Sequence, residues 1–373
     1  MTNLDINVKL KPNLKIRAFY LFFIIYGIQI GVGVMGIPRY IFEKAHQDSW
    51  ISILMMLLFM IIVAYVMILI LKQYENADIF GIQVDIFGKW IGKVLGSIYI
   101  LYFAASFISI ILTYIEVVQV FLYPTMPSFI IGLLLLCLVV YSVLGGIKTI
   151  VGVVFLFFFL TQWLLFLLYD PITRMDWDHF LPMLQASFPD LLDGAKATTY
   201  TVSGFEILFV IYPFIDNKEK AKLPVFLGLC YTTFIILIST IVAIGYFSTE
   251  DLGDVEWSVL TLFKSAAFTF IERLDYIVIV EWMLVIIPNL VLLMWAMTYG
   301  MKRLYKVRQK TTLYTVAITV LIIVSIVRQD FHINKLTDLL SRFGFWLVFI
   351  YPLILFPIVL LKKRWRKMRG SAK

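Results

Sequence analysis

The amino-acid sequence predicts an all-α polytopic membrane protein, and its composition and apolar runs lead to that fold class. Of the 373 residues, 61% are hydrophobic and 15% are charged, whereas a soluble domain has about 45–50% apolar and about 25% charged residues. Apolar runs of about 20 residues, the length that a helix needs to cross a bilayer, recur along nearly the whole chain. These runs are too long and too continuous for the strands of a closed barrel, the other structure that spans membranes.

The apolar runs define ten predicted transmembrane helices in one transmembrane domain, residues 1–373. They lie at about 16–38, 49–71, 96–123, 127–147, 149–169, 197–215, 223–247, 274–300, 311–327 and 343–361. The segment between the second and third spans, 75–95, mixes charged residues with Ile, Phe and Trp at helical spacing. We expect it to form an amphipathic helix on the inner membrane surface.

Lysine and arginine residues predict the orientation of the spans. The net charge is +8, and with a cytoplasmic N-terminus most of the basic residues fall on the inner side. These include the cluster "KRLYKVRQK" at 302–310 and the basic tail "KKRWRKMRGSAK" at 362–373. Cytoplasmic loops of membrane proteins carry such an excess, so both termini are predicted to be cytoplasmic. We expect the tail to meet anionic lipid rather than nucleic acid.

The first predicted span is interrupted near its centre. Its stretch "GIQIGVGVMGIP" at 27–38 contains Gly31, Gly33 and Gly36 and ends with a proline. Each glycine costs about 1 kcal/mol relative to alanine inside a helix, so an intact helix is disfavoured here. The sequence therefore predicts a break in this span.

A second interruption lies in the sixth predicted span. The stretch "TYTVSGFEILFVIYP" at 199–213 places polar residues and Gly204 inside the span and a proline at its end. Breaks in spans one and six of ten are typical of inverted five-helix repeats. We therefore expect repeats at about 16–169 and 197–361, related by a pseudo-two-fold axis in the membrane plane, although residue identity shows no repeat.

Two broken helices side by side can bind a small zwitterion. Groups that lose their intrahelical partners need others in a membrane. The half-helix that restarts after Gly36 would offer N–H groups and a positive dipole end to a carboxylate, and carbonyls around Ser203 to Phe205 would accept from an ammonium group. The alternative is that the glycines serve close helix packing. Two breaks in matched positions favour a binding site.

Three carboxylates, Glu116, Glu206 and Glu281, fall inside spans three, six and eight. A charge at bilayer depth is costly unless it faces protein or water, so each is a functional candidate. Helical spacing places one stripe of span three toward the bundle interior: Tyr102, Ser106, Ser109, Thr113, Glu116 and Tyr123. The alternative reading is that these carboxylates fix helix packing.

An enzyme is not expected from this sequence. The three histidines lie in separate predicted outer segments without metal-ligand spacing. No phosphate-binding glycine-rich loop is present, and Ser203-Gly204 lacks the flanking pattern of a nucleophile elbow. We therefore predict no catalytic residues, no cofactor and no metal.

The quoted motifs resemble a known family. "GVGVMGIP" resembles the first-helix break of the amino acid–polyamine–organocation transporter superfamily. The longer segment "FLPMLQASFPDLLDGAKATTYTVSGFEILFVIYPFI" at 180–215 is similar to the region around span six of spore germination permeases, the B subunits of bacterial nutrient germinant receptors. With the ten spans and the basic tail, the resemblance covers essentially the full chain.

The resemblance implies a LeuT-like fold that senses a germinant, usually an amino acid or another small nutrient, in the inner spore membrane. It also implies an A-type subunit and a lipoprotein C-type subunit as partners. The ligand-binding residues that it and the pattern above indicate are Gly31, Gly33, Gly36, Thr113, Glu116, Ser203, Gly204, Phe205, Glu206 and Asn289.

Two departures from this family pattern bear on mechanism. Span five, "VGVVFLFFFLTQWLLFLLY", has no lysine that could replace a coupling cation, and the middle of span eight, "VIIPNLVLLMW", lacks the Ser/Thr pair of a sodium site. Both weaken the case for an ion-driven pump. The favoured function is a germinant-binding receptor subunit, and the alternative is a stand-alone amino acid permease.

Overall fold

The computed structural model describes residues 6–265, 274–327 and 330–370, and in these ranges the regular structure is helical apart from two isolated β-bridges. The α-helices are α1 Leu21–Gln29, α2 Ile37–Ala45, α3 Ser49–Lys72, α4 Ile79–Phe121, α5 Ser128–Leu144, α6 Ile147–Thr161, α7 Tyr169–Thr173, α8 Phe188–Ala197, α9 Thr199–Val202, α10 Leu208–Ile211, α11 Lys222–Tyr246, α12 Thr249–Asp254, α13 Ser258–Ser265, α14 Leu274–Tyr305, α15 Gln309–Ile326, α16 Asp330–Gly344 and α17 Tyr351–Gly370. Short 3₁₀ segments join several of them, and a π-helix, Phe345–Ile350, joins α16 to α17.

Seven stretches of the described chain are long and apolar enough to cross a membrane. They are Ile37–Lys72, Ile79–Phe121, Ile147–Thr173, Lys218–Tyr246, Tyr276–Tyr305, Gln309–Ile326 and Ile333–Arg366. Three shorter apolar helices, Ala18–Gln29, Ser128–Leu144 and Thr199–Phe214, fall on predicted spans one, four and six. The chain is thus a multi-pass helical membrane protein, while the count of ten crossings stays a prediction.

Both ends of the described chain lie at the same end of the helical bundle. Near the N-terminus, Asn7 bridges to Ala77 and Ile16 to Ile215. Near the C-terminus, Arg366 forms an ion pair with Asp85 (2.7 Å). We call this the basic end, and define it by Lys15, Lys218, Arg303, Lys362 and Arg366, whose side chains all bond to groups there.

A buried ion pair holds the basic end together. Asp78 is the N-cap of α4, and its carboxylate accepts from the N–H of Gly81 (2.8 Å). The same carboxylate pairs with Arg303 of α14 (2.6 Å), and its side chain is 0% exposed. Tyr299 donates to it as well (2.7 Å). The carboxylate thereby caps α4 and links it to α14. Its buried charge is tolerated because it is paired and hydrogen-bonded.

Two of the predicted spans differ in their bounds from the helices of the structure. Pro38 lies in the first turn of α2 rather than at the end of a span, because proline fits the start of a helix, where its missing N–H costs nothing. The first membrane helix therefore continues to Ala45. The helix that contains the predicted final span, 343–361, is longer than that span and covers Ile333–Arg366.

The segment 75–95, predicted as an amphipathic surface helix, does form a helix, but the first turns of that helix are buried rather than lying on a surface. Residues from Ile79 onward belong to α4, which continues to Phe121 with a kink at Gly88 (φ 82°). Ile79, Phe80 and Ile82 are fully buried, so the first turns of α4 pack inside the basic end. Glycine tolerates the left-handed backbone that lets this helix change direction.

Candidate functional site

The first membrane helix is broken, as its glycines predict. α1 ends at Gln29, Ile30 and Gly31 are extended, and a short 3₁₀ turn, Val32–Met35, leads to α2. The first hydrogen bond of that turn runs from the Val34 N–H to the Gly31 carbonyl (3.4 Å). The N–H groups of Gly31, Val32 and Gly33 come before it, so the turn itself offers them no acceptor.

The sixth membrane helix is broken too. α9 ends at Val202, Ser203 is extended, and Gly204 adopts a left-handed backbone (φ 111°, ψ −28°) before the 3₁₀ turn Phe205–Ile207. A side chain at Gly204 would also collide with the main chain of the first helix, because its Cβ would lie 2.9 Å from the Ile28 carbonyl oxygen. Gly204 therefore has two roles: it adopts the left-handed backbone at the break, and its lack of a side chain lets the first and sixth helices pack closely.

The two breaks brace each other through side-chain amides. Gln29 donates from Nε2 to the Val202 carbonyl (2.5 Å), at the break in the sixth helix. Asn289 of α14 donates from Nδ2 to the Ile30 carbonyl (3.3 Å), at the break in the first helix. The Val202 and Ile30 carbonyls, which lie at the breaks, therefore each accept a hydrogen bond from a side-chain amide. Buried polar groups need such a partner.

A cavity of about 40 Å³ lies where the two breaks meet. This volume counts the space open to the centres of water molecules, so the cavity has room for a few of them. Six of the predicted ligand-binding residues line it: Gly31, Gly33, Ser203, Gly204, Glu206 and Asn289. The structure thus gathers residues from the first, sixth and eighth predicted spans around one small space.

Two acceptor atoms beside this cavity lack a hydrogen-bond partner. Glu206 accepts from the Gly204 N–H through Oε2 (2.7 Å), but its Oε1 has no partner among the described residues. The Oε1 of Gln29 is likewise unpartnered within that part of the chain. The residues are 1% and 2% exposed, and leaving a buried acceptor unpaired costs about 1–3 kcal/mol. An ammonium group in the cavity would supply the missing donors.

A second, larger cavity of about 360 Å³ adjoins the first on the side away from the basic end. Val32, Gly33, Tyr200 and Thr201 line both cavities and so lie between them. The Tyr200 hydroxyl bonds to Ser109 of α4 (2.9 Å), and Ser109 also bonds to Thr337 of α16 (3.2 Å). These hydrogen bonds hold the Tyr200 side chain in place between the two cavities.

The remaining predicted ligand residues lie elsewhere. Gly36 and Thr113 line the larger cavity. The residues of the first break that line the small cavity are Gly31, Val32 and Gly33. Phe205 and Glu116 line neither cavity, and the Phe205 ring packs on Phe349 with centroids 5.4 Å apart. Their role as ligand contacts stays a prediction from the sequence.

The remaining polar residues singled out in the sequence also fall into two groups, those that line a cavity and those that do not. Of the predicted stripe in span three, Tyr102 and Ser106 line the small cavity, but Tyr123 is 57% exposed. Glu281 accepts from the indole N–H of Trp163 (3.2 Å) and lines neither cavity, which agrees with the packing reading.

Sequence reasoning missed Gln29, Tyr200 and Thr201 as lining residues. Gln29 had a signal, because it is a lone polar residue two positions before Gly31 in an apolar span. Tyr200 and Thr201 belong to the polar stretch that marks the second break. Among described residues, no three His, Cys, Asp or Glu side chains converge as metal ligands, and the side chain of His332 lies outside that description.

Comparison with solved structures shows a transporter fold. The chain superposes with a TM-score of 0.69 on a substrate-bound, outward-open Na⁺-coupled sialic acid symporter, over 90% of this chain and 78% of that one. The two sequences are 12% identical, so the likeness concerns the fold alone.

Comparison with protein families shows the relationship. The family model described as spore germination protein matches residues 15–333. Spore germination protein GerQB of Bacillus cereus is 29% identical over 95% of this chain and 98% of its own. Spore germination protein A2 of Bacillus subtilis is 24% identical over 94% of this chain and 97% of its own. This chain belongs to the spore germination protein family.

Proposed function

We propose that this protein is the membrane subunit of a spore nutrient germinant receptor and that it binds a small amino acid between its two broken helices. The small cavity supports this proposal most strongly. Gly31, Val32 and Gly33 line it, and their N–H groups, to which the 3₁₀ turn offers no acceptor, would suit a carboxylate. Glu206 and Gln29 line it as well, and their Oε1 atoms, which have no partner among the described residues, would suit an ammonium group.

The proposed ligand is enclosed rather than surface-bound. Its way in is the larger cavity, and Tyr200 and Thr201 stand between the two spaces. Because about 40 Å³ is little room for an amino acid, the small cavity must widen when the ligand enters. Binding would then favour one packing of the broken helices, and this bias would pass to partner subunits.

The rest of the receptor proposal concerns topology and partners. It comprises ten crossings in one domain, the two repeats at about 16–169 and 197–361, and both termini in the cytoplasm. The common position of both termini at the basic end supports an even number of crossings. The proposed partners are A-type and lipoprotein C-type receptor subunits, and the proposed location is the inner spore membrane. No chemical conversion of the ligand is involved.

The alternative is a stand-alone amino acid permease, and the transporter fold is the observation that favours it. One contact weighs against sodium coupling at the first break. The Ile30 carbonyl, a group that could ligate a cation, instead accepts from the neutral amide of Asn289. A permease on this scaffold would have to work without a cation at that carbonyl.

The two functions separate in reconstituted vesicles. The purified chain is incorporated into liposomes, and binding and uptake of each of the twenty radiolabelled amino acids are measured with and without proton and sodium gradients. A receptor subunit shows saturable binding of one or a few amino acids without accumulation. Gradient-driven accumulation establishes the permease instead, and the absence of saturable binding for all twenty overturns the amino acid site.

A further inference from the structure

A groove of about 660 Å³ lies at the basic end, remote from the ligand cavity. We call it the basal groove. It is bounded by residues 17–19 before the first helix, residues 216–220 after the broken sixth helix, and residues 222–226 at the start of α11. Three chain segments that enter or leave membrane helices therefore meet in one depression.

One wall of the basal groove is apolar and faces outward. Phe19 is 58% exposed and Leu223 is 66% exposed, while Leu227, one turn further along α11, is 49% exposed. These side chains stand at the ends of apolar helices, so their exposed faces point to the bilayer rather than to water. This wall suits a hydrocarbon chain.

The other part of the basal groove is predominantly positive. Arg17, Lys220 and Lys222 line it and are exposed. Of its two carboxylates, Asp216 is matched by Lys15 (3.3 Å), and Glu219 is the other. Lys222 is held beside α3, with its ammonium group 4.5 Å from the centre of the Tyr65 ring. The cations lie where apolar helix gives way to the basic end, the depth at which lipid phosphates lie.

The floor of the basal groove joins the two broken helices. The Ile16 N–H donates to the Phe214 carbonyl (2.9 Å), and the Asp216 N–H donates to the Ile16 carbonyl (2.9 Å). This short bridge pairs the segment entering the first broken helix with the segment leaving the sixth. A molecule in the groove therefore rests on the joint between the two helices that form the ligand cavity.

We propose that the basal groove binds an anionic phospholipid, with the phosphate on Arg17 and Lys220 and an acyl chain against Phe19 and Leu223. A phospholipid matches both halves of the groove, since its charge and its hydrocarbon meet at the same membrane depth. A peptide segment of a partner subunit could fill the groove only if an acidic group and an apolar side chain lay at the same spacing. We treat such a segment as the alternative occupant.

The test is lipid retention measured by native mass spectrometry. The full-length chain, purified in detergent, is incubated with phosphatidylglycerol or with phosphatidylcholine of the same acyl chains. The variants are Arg17→Gln/Lys220→Gln and, as a matched control, Lys306→Gln/Lys310→Gln, which removes the same charge from exposed positions just before α15 and in its first turn, at the same end. A third variant, Arg17→Lys/Lys220→Arg, keeps the charge of the groove.

The wild type should retain one phosphatidylglycerol under conditions that remove phosphatidylcholine. The groove variant should bind it about 30-fold more weakly, because each basic residue near an anionic lipid contributes roughly a factor of five. The control and the charge-keeping variant should resemble the wild type. Equal retention of both lipids, or equal losses in the groove variant and the control, would overturn the proposal. Wild-type lipid retention by the groove variant would also overturn the proposal and would leave a segment of a partner subunit as the candidate occupant. Amino acid binding plays no part in this readout, so its outcome is independent of the proposed receptor function.

Discussion

Glu206 shows at the scale of one residue how a carboxyl group can serve both the fold and a ligand. One oxygen accepts from the Gly204 N–H within the break, while the other has no partner in the described part of the chain. Its position in the sequence marked it as a candidate, since a glutamate next to a glycine break in a membrane helix is rare. The distinct roles of its two oxygens depend on the left-handed turn at Gly204, which the residue pattern does not specify.

Replacing Glu206 with glutamine tests the charge at the site. The amide oxygen can still accept from the Gly204 N–H, so the break should survive, but the negative charge facing an ammonium group is lost. A hydrogen bond to a charged group is worth about 1.5–3 kcal/mol, so amino acid affinity should fall by about 10- to 100-fold. Equilibrium binding of the radiolabelled amino acid gives the measurement.

Glu281→Gln is the matched control for that substitution. Glu281 is also a membrane-embedded glutamate with one hydrogen bond, to Trp163, but it lines neither cavity. Its substitution should leave affinity within about twofold, since a neutral acceptor serves the indole N–H as well. Equal losses in both variants would show that the effect of Glu206→Gln is structural.

The glycines of the two breaks allow a steric test. A Cβ at Gly33 would lie 2.5 Å from Thr201 Oγ1, and a Cβ at Gly204 would lie 2.8 Å from Ile28 Cγ1. Gly33→Val and Gly204→Val should therefore abolish ligand binding while the protein still inserts into the membrane. Gly152→Val in α6 is the control, because no atom lies within 4 Å of its added Cβ. Wild-type binding by both break variants would remove the proposed site.

At the scale of the helices, residue pattern predicts what is local and misses what depends on packing. The breaks in the first and sixth helices were predicted, because glycine and proline act through their own backbone. The course of α4 was not predicted: its first turns read as a surface helix, and only the buried pairing of Asp78 with Arg303 shows why they lie inside. The π-helix at Phe345–Ile350 likewise has no local signature in its apolar sequence.

The Asp78–Arg303 pair offers a test of how the basic end is held together. Asp78→Asn replaces the carboxylate that pairs with Arg303 by a neutral amide, at a site where the Asp78 side chain is 0% exposed. Breaking a buried pair in this way costs about 3–5 kcal/mol, so the thermal midpoint in detergent should fall by several degrees. Asp193→Asn, in an exposed pair with Lys196, is the control and should cost less than about 1 kcal/mol. Similar midpoints for both variants would mean that the buried pair does not hold the helices.

At the scale of the whole molecule, the chain carries its site where four predicted spans converge. Gly31, Gly33, Gly204, Glu206 and Asn289, which line the small cavity, stand out in the sequence because polar and helix-breaking residues are conspicuous in apolar spans. Phe205 and Glu116 line neither cavity, because neighbours along a helix point in different directions. Which face a residue presents is decided by helices distant in sequence, as the contact between Phe205 and Phe349 shows.

Ten crossings predict which loops share a side of the membrane. In a cysteine-free background, Cys137→Ser/Cys230→Ser, single cysteines replace Lys9, Lys306, Asp178 or Glu250. A membrane-impermeant maleimide applied to oriented vesicles should label Lys9→Cys and Lys306→Cys from one side, and Asp178→Cys and Glu250→Cys from the other. Labelling of positions 9 and 306 from opposite sides would contradict the ten-crossing topology and both repeats.

The hydrogen-bonded Tyr200 ring has a consequence for timing. If an amino acid binds in the small cavity as proposed, it should reach that space only when the Tyr200 hydroxyl has left Ser109. Association would then be slow, because it waits on a rearrangement of the protein, and departure would wait on the same event. A receptor subunit of this kind would stay mostly empty during a brief exposure to nutrient and would fill under a sustained supply, so it would respond to persistence rather than to a passing pulse.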